Sequence, residues 1–327
     1  MNKHFRTLLL ATIFYFSLIA LNAQHQKFKI PDVTMDDLTL TTCSIDSSAP
    51  AFVIFDKCDI EFVQGEGNLD VLYNRNLRMK ILRKAGIQYG ELAIPIHLSS
   101  DGSKRDDLRE IKAFTYNLVN GKISKTKVEP KNIFEQKVSD HLLIRKFAFP
   151  DVHEGSVLEI RYEIRSPFRF HLNDWAFQSE IPVLHSECNL KYTPFYLYTY
   201  LLKNATKFDK YEEYQVDGLE KEFYNTTYKE GMCHFAMNNV PAFTETDYVS
   251  SDEEYLITLH FQINKVTNTR GVSENLCSTW DELAETLTDE DFGKYISSSQ
   301  GISKQIFLEG KTDALSPTAR FDTIVRW

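Results

Sequence analysis

The sequence predicts a mainly β protein, with antiparallel β-sandwich-like domains followed by a short helical segment. Apolar and polar residues alternate with period two over much of residues 51–272, turn residues separate these segments, and the spacing becomes helical near residue 275. The 327 residues are 43% apolar and 25% charged, an ordinary globular composition. A formal net charge of −9 argues against general nucleic-acid binding, which needs a basic face.

Residues 1–23 have the pattern of a secretory signal peptide. A basic start precedes an apolar run of 14 residues (8–21), and a polar stretch follows Ala23. The run is shorter than the roughly 20 apolar residues of a membrane span, and no later segment could cross a bilayer. We therefore predict an exported protein that is periplasmic or associated with the cell envelope. An uncleaved N-terminal anchor is the alternative, and residues 24–50 then form a polar lead or linker.

The first β-rich layer or domain is predicted over residues 51–170. Asn120-Gly121 lies between two strand-like segments and predicts a tight hairpin, because both residues tolerate positive φ. Residues 157–164 alternate fully, which predicts a half-buried antiparallel strand. Its apolar side chains should face the core, and its charged side chains should form a surface ladder: Leu158, Ile160, Tyr162 and Ile164 inside; Glu159, Arg161 and Glu163 outside.

A second β-rich layer or domain is predicted over residues 171–272. Ser166-Pro167 ends the preceding strand, and residues 168–182 form a crossover between the two layers. Residues 255–263 alternate again, with odd-numbered side chains toward the core. His260 falls on the polar side of this strand, which favours a solvated imidazole.

Residues 273–327 are predicted to be helical. Ser278 opens a capping-box pattern, and Ser316-Pro317 is typical of a helix start with proline in the first turn. Neither a C-cap glycine nor a proline follows that last helix, so we predict a truncated chain whose next domain is missing. A helix that docks at the C-terminus is the alternative.

The cysteines allow two interpretations. They stand at Cys43, Cys58, Cys188, Cys233 and Cys277. Disulfides are possible in an exported protein, but an odd count leaves at least one thiol unpaired. Cys58 and Cys188 lie among apolar, strand-like residues, which favours buried free thiols.

No catalytic constellation is predicted within the chain. Cys233-His234 should point to opposite faces of a strand, and Cys277 with His260 is the other thiol–imidazole pair. Neither a G-x-S-x-G elbow nor an H-E-x-x-H motif is present, and CxxC spacing is absent. We therefore predict neither catalytic residues nor a metal site nor a cofactor. Calcium bound by the acidic stretches 247–254 and 281–291 is an alternative, although their spacing is not that of an EF-hand.

Tyrosines at even spacing form the candidate binding residues: Tyr192, Tyr196, Tyr198 and Tyr200. On one strand all four would share a face. Such a ladder could stack sugar rings or hold a peptide, and it could equally pack against neighbouring strands or a neighbouring domain.

Several short motifs occur in an order that resembles a known family. They are IKAFTYNL (111–118), NGK (120–122), NIFE (132–135), KFAFP (146–150), EGSVLE (154–159), SPF (166–168), DWAFQ (174–178) and IPV (181–183). Together they resemble the uncharacterised β-rich domain that precedes transglutaminase-like domains in secreted bacterial proteins. The resemblance covers about residues 50–270. It implies a β-sandwich-like part followed by helices that open a truncated, papain-like α+β domain, whose Cys, His and Asp would lie beyond Trp327.

Three functional hypotheses follow. Residues 151–327 carry 16 basic and 29 acidic groups, so the second half of the chain is acidic. The first hypothesis is an exported, non-catalytic β-sandwich module that supports or orients the downstream transglutaminase-like domain, with this acidic half and the tyrosine ladder as docking surfaces. The second is a cell-envelope module that binds a glycan or peptide; it requires Tyr196, Tyr198 and Tyr200 to be exposed in a groove. The third is an independent hydrolase.

Overall fold

The computed structural model describes residues 31–216, 218, 220–244, 254–276, 316 and 318–319. It confirms a mainly β fold with several antiparallel sheets. The predicted signal peptide and nearly all of the predicted helical segment lie outside the described residues, as do Cys277 and the acidic stretch 281–291. In the part that is described, no helix combines the length and apolarity that a membrane span requires.

The described strands and the helix near the start of the described chain follow in order. They are α1 (Met35–Thr39), β1 (Ala51–Gln64), β2 (Leu69–Ile81), β3 (Glu91–His97), β4 (Asp107–Val119), β5 (Lys122–Lys127), β6 (Ile133–Ser139), β7 (Leu142–Ala148), β8 (Val157–Ser166), β9 (Trp175–Ala176), β10 (Val183–Tyr192), β11 (Tyr196–Lys203), β12 (Lys210–Gln215), β13 (Lys221–Phe223), β14 (Thr226–Tyr228), β15 (Gly231–Val240), β16 (Thr258–Thr267) and β17 (Ser273–Asn275). Short 3₁₀ turns occupy Lys84–Gly90 and Pro130–Asn132.

An eight-stranded sheet forms one layer, in the order β12-β15-β10-β1-β2-β8-β4-β5. Its neighbours are antiparallel except for β1 and β10, which pair in parallel with Cys58 opposite Cys188. The sheet takes strands from both sides of residue 170, so the two predicted β-rich segments share one sheet. The β4–β5 hairpin turns at Asn120 and Gly121, whose φ values of 51° and 73° confirm the predicted turn.

Two smaller sheets provide the opposite layer. One has the order β11-β16-β17, with β9 paired to β16, and the other has the order β3-β7-β6. The short β9 lies in the predicted crossover. Phe62 of β1 joins the layers, because its ring centroid lies 5.5 Å from that of Tyr196 and 6.0 Å from that of Tyr198. Buried apolar residues from the large sheet and both smaller sheets form one continuous core.

The prediction that the glutamates of β8 lie on an exposed surface ladder is wrong. Glu159 retains 4% exposure and Glu163 8%, whereas Leu158 and Ile160 are buried as predicted. Glu159 accepts a hydrogen bond from Arg78 Nε at 2.9 Å, and the Arg78 side chain is itself only 3% exposed. The outer face of the sheet is therefore covered where β2 and β8 meet.

The outer face is covered here by residues 31–40, which belong to the segment predicted as a polar lead. Arg78 Nη1 donates to Asp37 Oδ2 at 3.0 Å, and Arg78 Nη2 donates to the Pro31 carbonyl at 2.5 Å. Asp37 also completes a capping box with Thr34 at the start of α1. Lys80 Nζ donates to the Leu38 carbonyl at 2.7 Å, and burial lowers the pKa of Lys80 to about 8. The described part of the lead is thus docked on the sheet.

Candidate functional site

The four predicted tyrosines do not lie on one strand. Tyr192 ends β10 in the large sheet, whereas Tyr196, Tyr198 and Tyr200 belong to β11 in the opposite layer. The chain changes layers at Pro194, which has no N–H to continue a ladder. The prediction of a single four-tyrosine face is therefore wrong.

Tyr196 and Tyr198 belong to the core. They are 6% and 7% exposed and pack on Phe62, and the Tyr198 hydroxyl donates to the Arg169 carbonyl. Burial raises the pKa of both phenols. The exposed groove that the glycan or peptide hypothesis requires is therefore absent at these two side chains, because β11 turns them toward β1.

Tyr192 and Tyr200 instead meet at a carboxylate near the edge of the large sheet. The Tyr192 hydroxyl donates to Glu213 Oε1 at 2.9 Å, and the Tyr200 and Tyr211 hydroxyls approach Glu213 Oε2 at 3.2 and 2.8 Å. Hydrogen bonds from Tyr211 and Tyr192 lower the pKa of Glu213. Burial, together with the hydrogen bond to Glu213, raises the pKa of Tyr192 to about 12.

Glycine at position 231 makes the Tyr192 orientation possible. Gly231 lies opposite Tyr192 in the β10–β15 pair, and a Cβ there would stand 2.1 Å from Tyr192 Cζ. Phe235 lies beneath the cluster, with its ring centroid 5.0 Å from that of Tyr200. The arrangement is an ordered surface cluster, and a binding role for Tyr192 and Tyr200 stays a prediction.

The described thiols are buried and free, in agreement with the favoured interpretation. They are Cys43, Cys58, Cys188 and Cys233. Burial raises the pKa of Cys58 and Cys188, and it raises that of Cys233 to about 11. A nucleophilic cysteine needs a lowered pKa and access to solvent, and these three have neither.

Of the two predicted thiol–imidazole pairs, only Cys233 with His234 lies wholly within the described residues. Cys233 and His234 point to opposite faces of β15 as predicted: Cys233 enters the core, and His234 Nδ1 contacts Asn189 Oδ1 at 2.5 Å on the outer face. His260 is not simply solvated, which corrects the prediction. Its Nδ1 lies 2.6 Å from Asp174 Oδ2, and its Nε2 is buried without a hydrogen-bond partner in the described structure.

Two concave regions of the described structure were not predicted. A groove of about 710 Å³ crosses the outer face of the large sheet, where the polar groups pair with one another. Lys191 Nζ lies 3.3 Å from Glu61 Oε2, and Asn189 Nδ2 donates to Asp59 Oδ1 at 2.8 Å. Among the described residues, no group of three or more His, Cys, Asp or Glu side chains is arranged to hold a metal ion.

The second region is a cavity of about 580 Å³ on the inner face of the large sheet. Its wall comes from β1, β2 and β8, from the β3 end of the three-stranded sheet, and from the crossover before β9. No local sequence pattern marks it, because its lining residues are scattered along the chain from Cys58 to Trp175. The crossover contributes Phe168, His171 and Trp175, which the sequence placed only in a connecting segment.

The described structure is a mainly β fold of several antiparallel sheets, and its described thiols are free and buried. Residues 69–229, from β2 to just beyond β14, match the model of a family described as a domain of unknown function with a solved structure, DUF3857. The sequence has no significant match among curated proteins.

A solved structure from Parabacteroides distasonis ATCC 8503, provisionally described as a protease, has a similar fold. The TM-score is 0.53 at 15% identity, and the similarity covers 85% of this chain and 49% of the other. The chain therefore spans about half the length of that protein.

Proposed function

We propose that this chain is an exported, non-catalytic β-sandwich module that supports or orients a downstream transglutaminase-like (Cys-His-Asp) domain of the same polypeptide. The observation that carries the proposal is the match to DUF3857 over residues 69–229, which contain all eight motifs that resemble the pre-transglutaminase domain. The Parabacteroides protein supports it, because a fold like this one occupies about half of a longer chain described as a protease.

The start of the last predicted helix gives further support. Ser316 Oγ accepts a hydrogen bond from Ala319 N at 3.3 Å, which is the contact of an N-cap with the third helical residue. Proline at position 317 suits the first helical position. This local agreement favours the predicted helical segment that would lead into the downstream domain.

The buried thiols favour a supporting role over an independent hydrolase. Cys58, Cys188 and Cys233 are held in the core of the sandwich with raised pKa values. His234 lies on the other face of the sheet from Cys233. Chemistry by a papain-like triad would then depend on residues of the downstream domain.

Turnover by the present chain alone tests the non-catalytic part of this proposal. The chain, purified after export, should neither hydrolyse a fluorogenic peptide mixture nor incorporate dansylcadaverine into casein above the buffer background. The matched variants are Cys233→Ala and Cys277→Ala. Turnover that either substitution abolishes would contradict the proposal and restore the independent hydrolase.

A further inference from the structure

The inner-face cavity combines an apolar floor with a polar mouth. Ile60, Ile164 and Leu172 line it with aliphatic carbon, and Tyr73 and Trp175 add aromatic rings. Its volume of about 580 Å³ is within the range of small-ligand pockets, roughly 300–1,000 Å³. Mostly apolar walls with a few converging polar groups are the usual construction of such a site.

The polar groups that line the cavity include one guanidinium and three imidazoles, although the protein as a whole is acidic. Arg75 lies on one wall, and the imidazoles of His97, His141 and His171 lie on the others. Among the described lining residues, Asp174 is the one carboxylate, and it is already paired with His260. A ligand carboxylate would therefore meet the guanidinium of Arg75, which is itself paired with Asp56.

Arg75 is fixed in place and retains donor capacity. Its Nε and Nη2 donate to Asp56 at 2.9 and 2.6 Å, and its Nη1 donates to the Tyr162 hydroxyl at 3.3 Å. The guanidinium carbon lies 5.0 Å from the Trp175 ring centroid, which holds the plane of the group. A guanidinium has about five N–H donors, so the three described bonds leave donors for a ligand.

Asp106 also fixes the orientation of the His97 side chain. Its Nδ1 and its backbone N both contact Asp106 Oδ2 at 2.9 Å, and Asp106 is fully buried. With Nδ1 on Asp106, the other ring nitrogen of His97 donates to a ligand carboxylate when the imidazole carries both protons. Asp106 itself does not line the cavity, so its charge orients the imidazole without facing the ligand.

We propose that this cavity binds an apolar or aromatic group that carries a carboxylate. The apolar group would lie on the floor formed by Ile60, Ile164 and Leu172, and the carboxylate would face Arg75 and His97. The proposal does not depend on the downstream domain. The same chemistry has two sources, the C-terminal residue of a peptide and a free carboxylic acid.

Calorimetric titration of the full chain tests the proposal with three probes: acetyl-Ala-Ala-Phe with a free carboxylate, the same peptide as its C-terminal amide, and decanoate. We expect at least one carboxylate probe to bind. If the peptide acid binds, its amide should bind at least about tenfold more weakly, because a charge-assisted contact is lost. Binding of the peptide acid alone would identify the peptide source, and binding of decanoate alone would identify the free acid.

Two variants test whether the probe binds in this cavity. Leu98→Trp adds bulk to the lining and should abolish binding, and His97→Gln should weaken it about tenfold. His153→Gln is the control, because His153 is exposed and outside the cavity lining. Circular dichroism confirms that each variant is folded. Absence of binding by both carboxylate probes, equal binding of peptide acid and amide, or binding unchanged by a folded Leu98→Trp variant would overturn the proposal.

Discussion

Replacing Arg78 with methionine should lower the free energy of unfolding by about 3–5 kcal/mol, because Glu159 would lose its buried partner. Glu159, 4% exposed, would lose its contact with Arg78 and keep one with Arg161 at 3.1 Å. The substitution would also remove the contact with Asp37 and weaken the docking of α1 on the outer face of the sheet, where Lys80 would still hold the Leu38 carbonyl. Urea denaturation of the full chain, followed by far-ultraviolet circular dichroism, measures the change.

Arg145→Met is the matched control for Arg78→Met. Arg145 pairs with Glu135 at 3.0 Å, but the two side chains are 30% and 42% exposed. An exposed pair contributes about 0–1 kcal/mol, so the control should unfold almost like the parent chain. Equal decreases in the free energy of unfolding of the two variants would contradict a stabilising role for the buried Arg78–Glu159 pair.

Phe62→Ala should also cost about 3–5 kcal/mol of stability, since it empties a fully buried aromatic position between the layers. Phe62 is 1% exposed and contacts both Tyr196 and Tyr198. The near-ultraviolet circular dichroism of the tyrosines should weaken in the same variant, because their rings lose their packing partner.

Phe134→Ala is the comparison for Phe62→Ala. Phe134 lies on the outer strand of the three-stranded sheet and is 57% exposed, so its truncation should change stability by less than about 0.5 kcal/mol. If Phe62→Ala were as mild as Phe134→Ala, Tyr196 and Tyr198 would not be core residues. A ligand-binding role for that part of the ladder would then have to be reconsidered.

Local patterns predicted the features that depend on neighbouring residues in the chain. The Asn120-Gly121 turn is encoded by two residues with positive φ, and the inward face of β8 is encoded by alternation alone. The Ser316 cap likewise needs only the residues that follow it. In each case the interaction that fixes the structure spans a few positions.

Features formed between distant segments could not be predicted in this way. Arg78 and Glu159 are 81 positions apart in the sequence. Their burial depends on α1, an earlier segment of the chain that covers them. The parallel β1–β10 pairing joins residues 130 positions apart, and it places the strands of both predicted layers in one sheet. His260 was expected in solvent because its strand alternates, but Asp174 comes from the crossover to reach its ring.

The tyrosine prediction failed for a related reason. Even spacing predicts a shared face only while the strand continues, and Pro194 sends the chain from one layer to the other between Tyr192 and Tyr196. The same change of layer brings Tyr200 toward Tyr211 and Glu213, which no periodicity links to it. The inner-face cavity has the same origin, because strands and a crossover from distant parts of the chain surround it.

The mass of the native gene product tests most directly whether this module is joined to a transglutaminase-like domain. An antibody raised against the present chain would recover the product from cell fractions and culture medium for intact mass measurement and sequencing. We expect a species well above 37.9 kDa that carries Cys, His and Asp in transglutaminase-like order after Trp327. A mature species with the mass of residues 24–327, or a longer product without that Cys-His-Asp set, would contradict the proposed function.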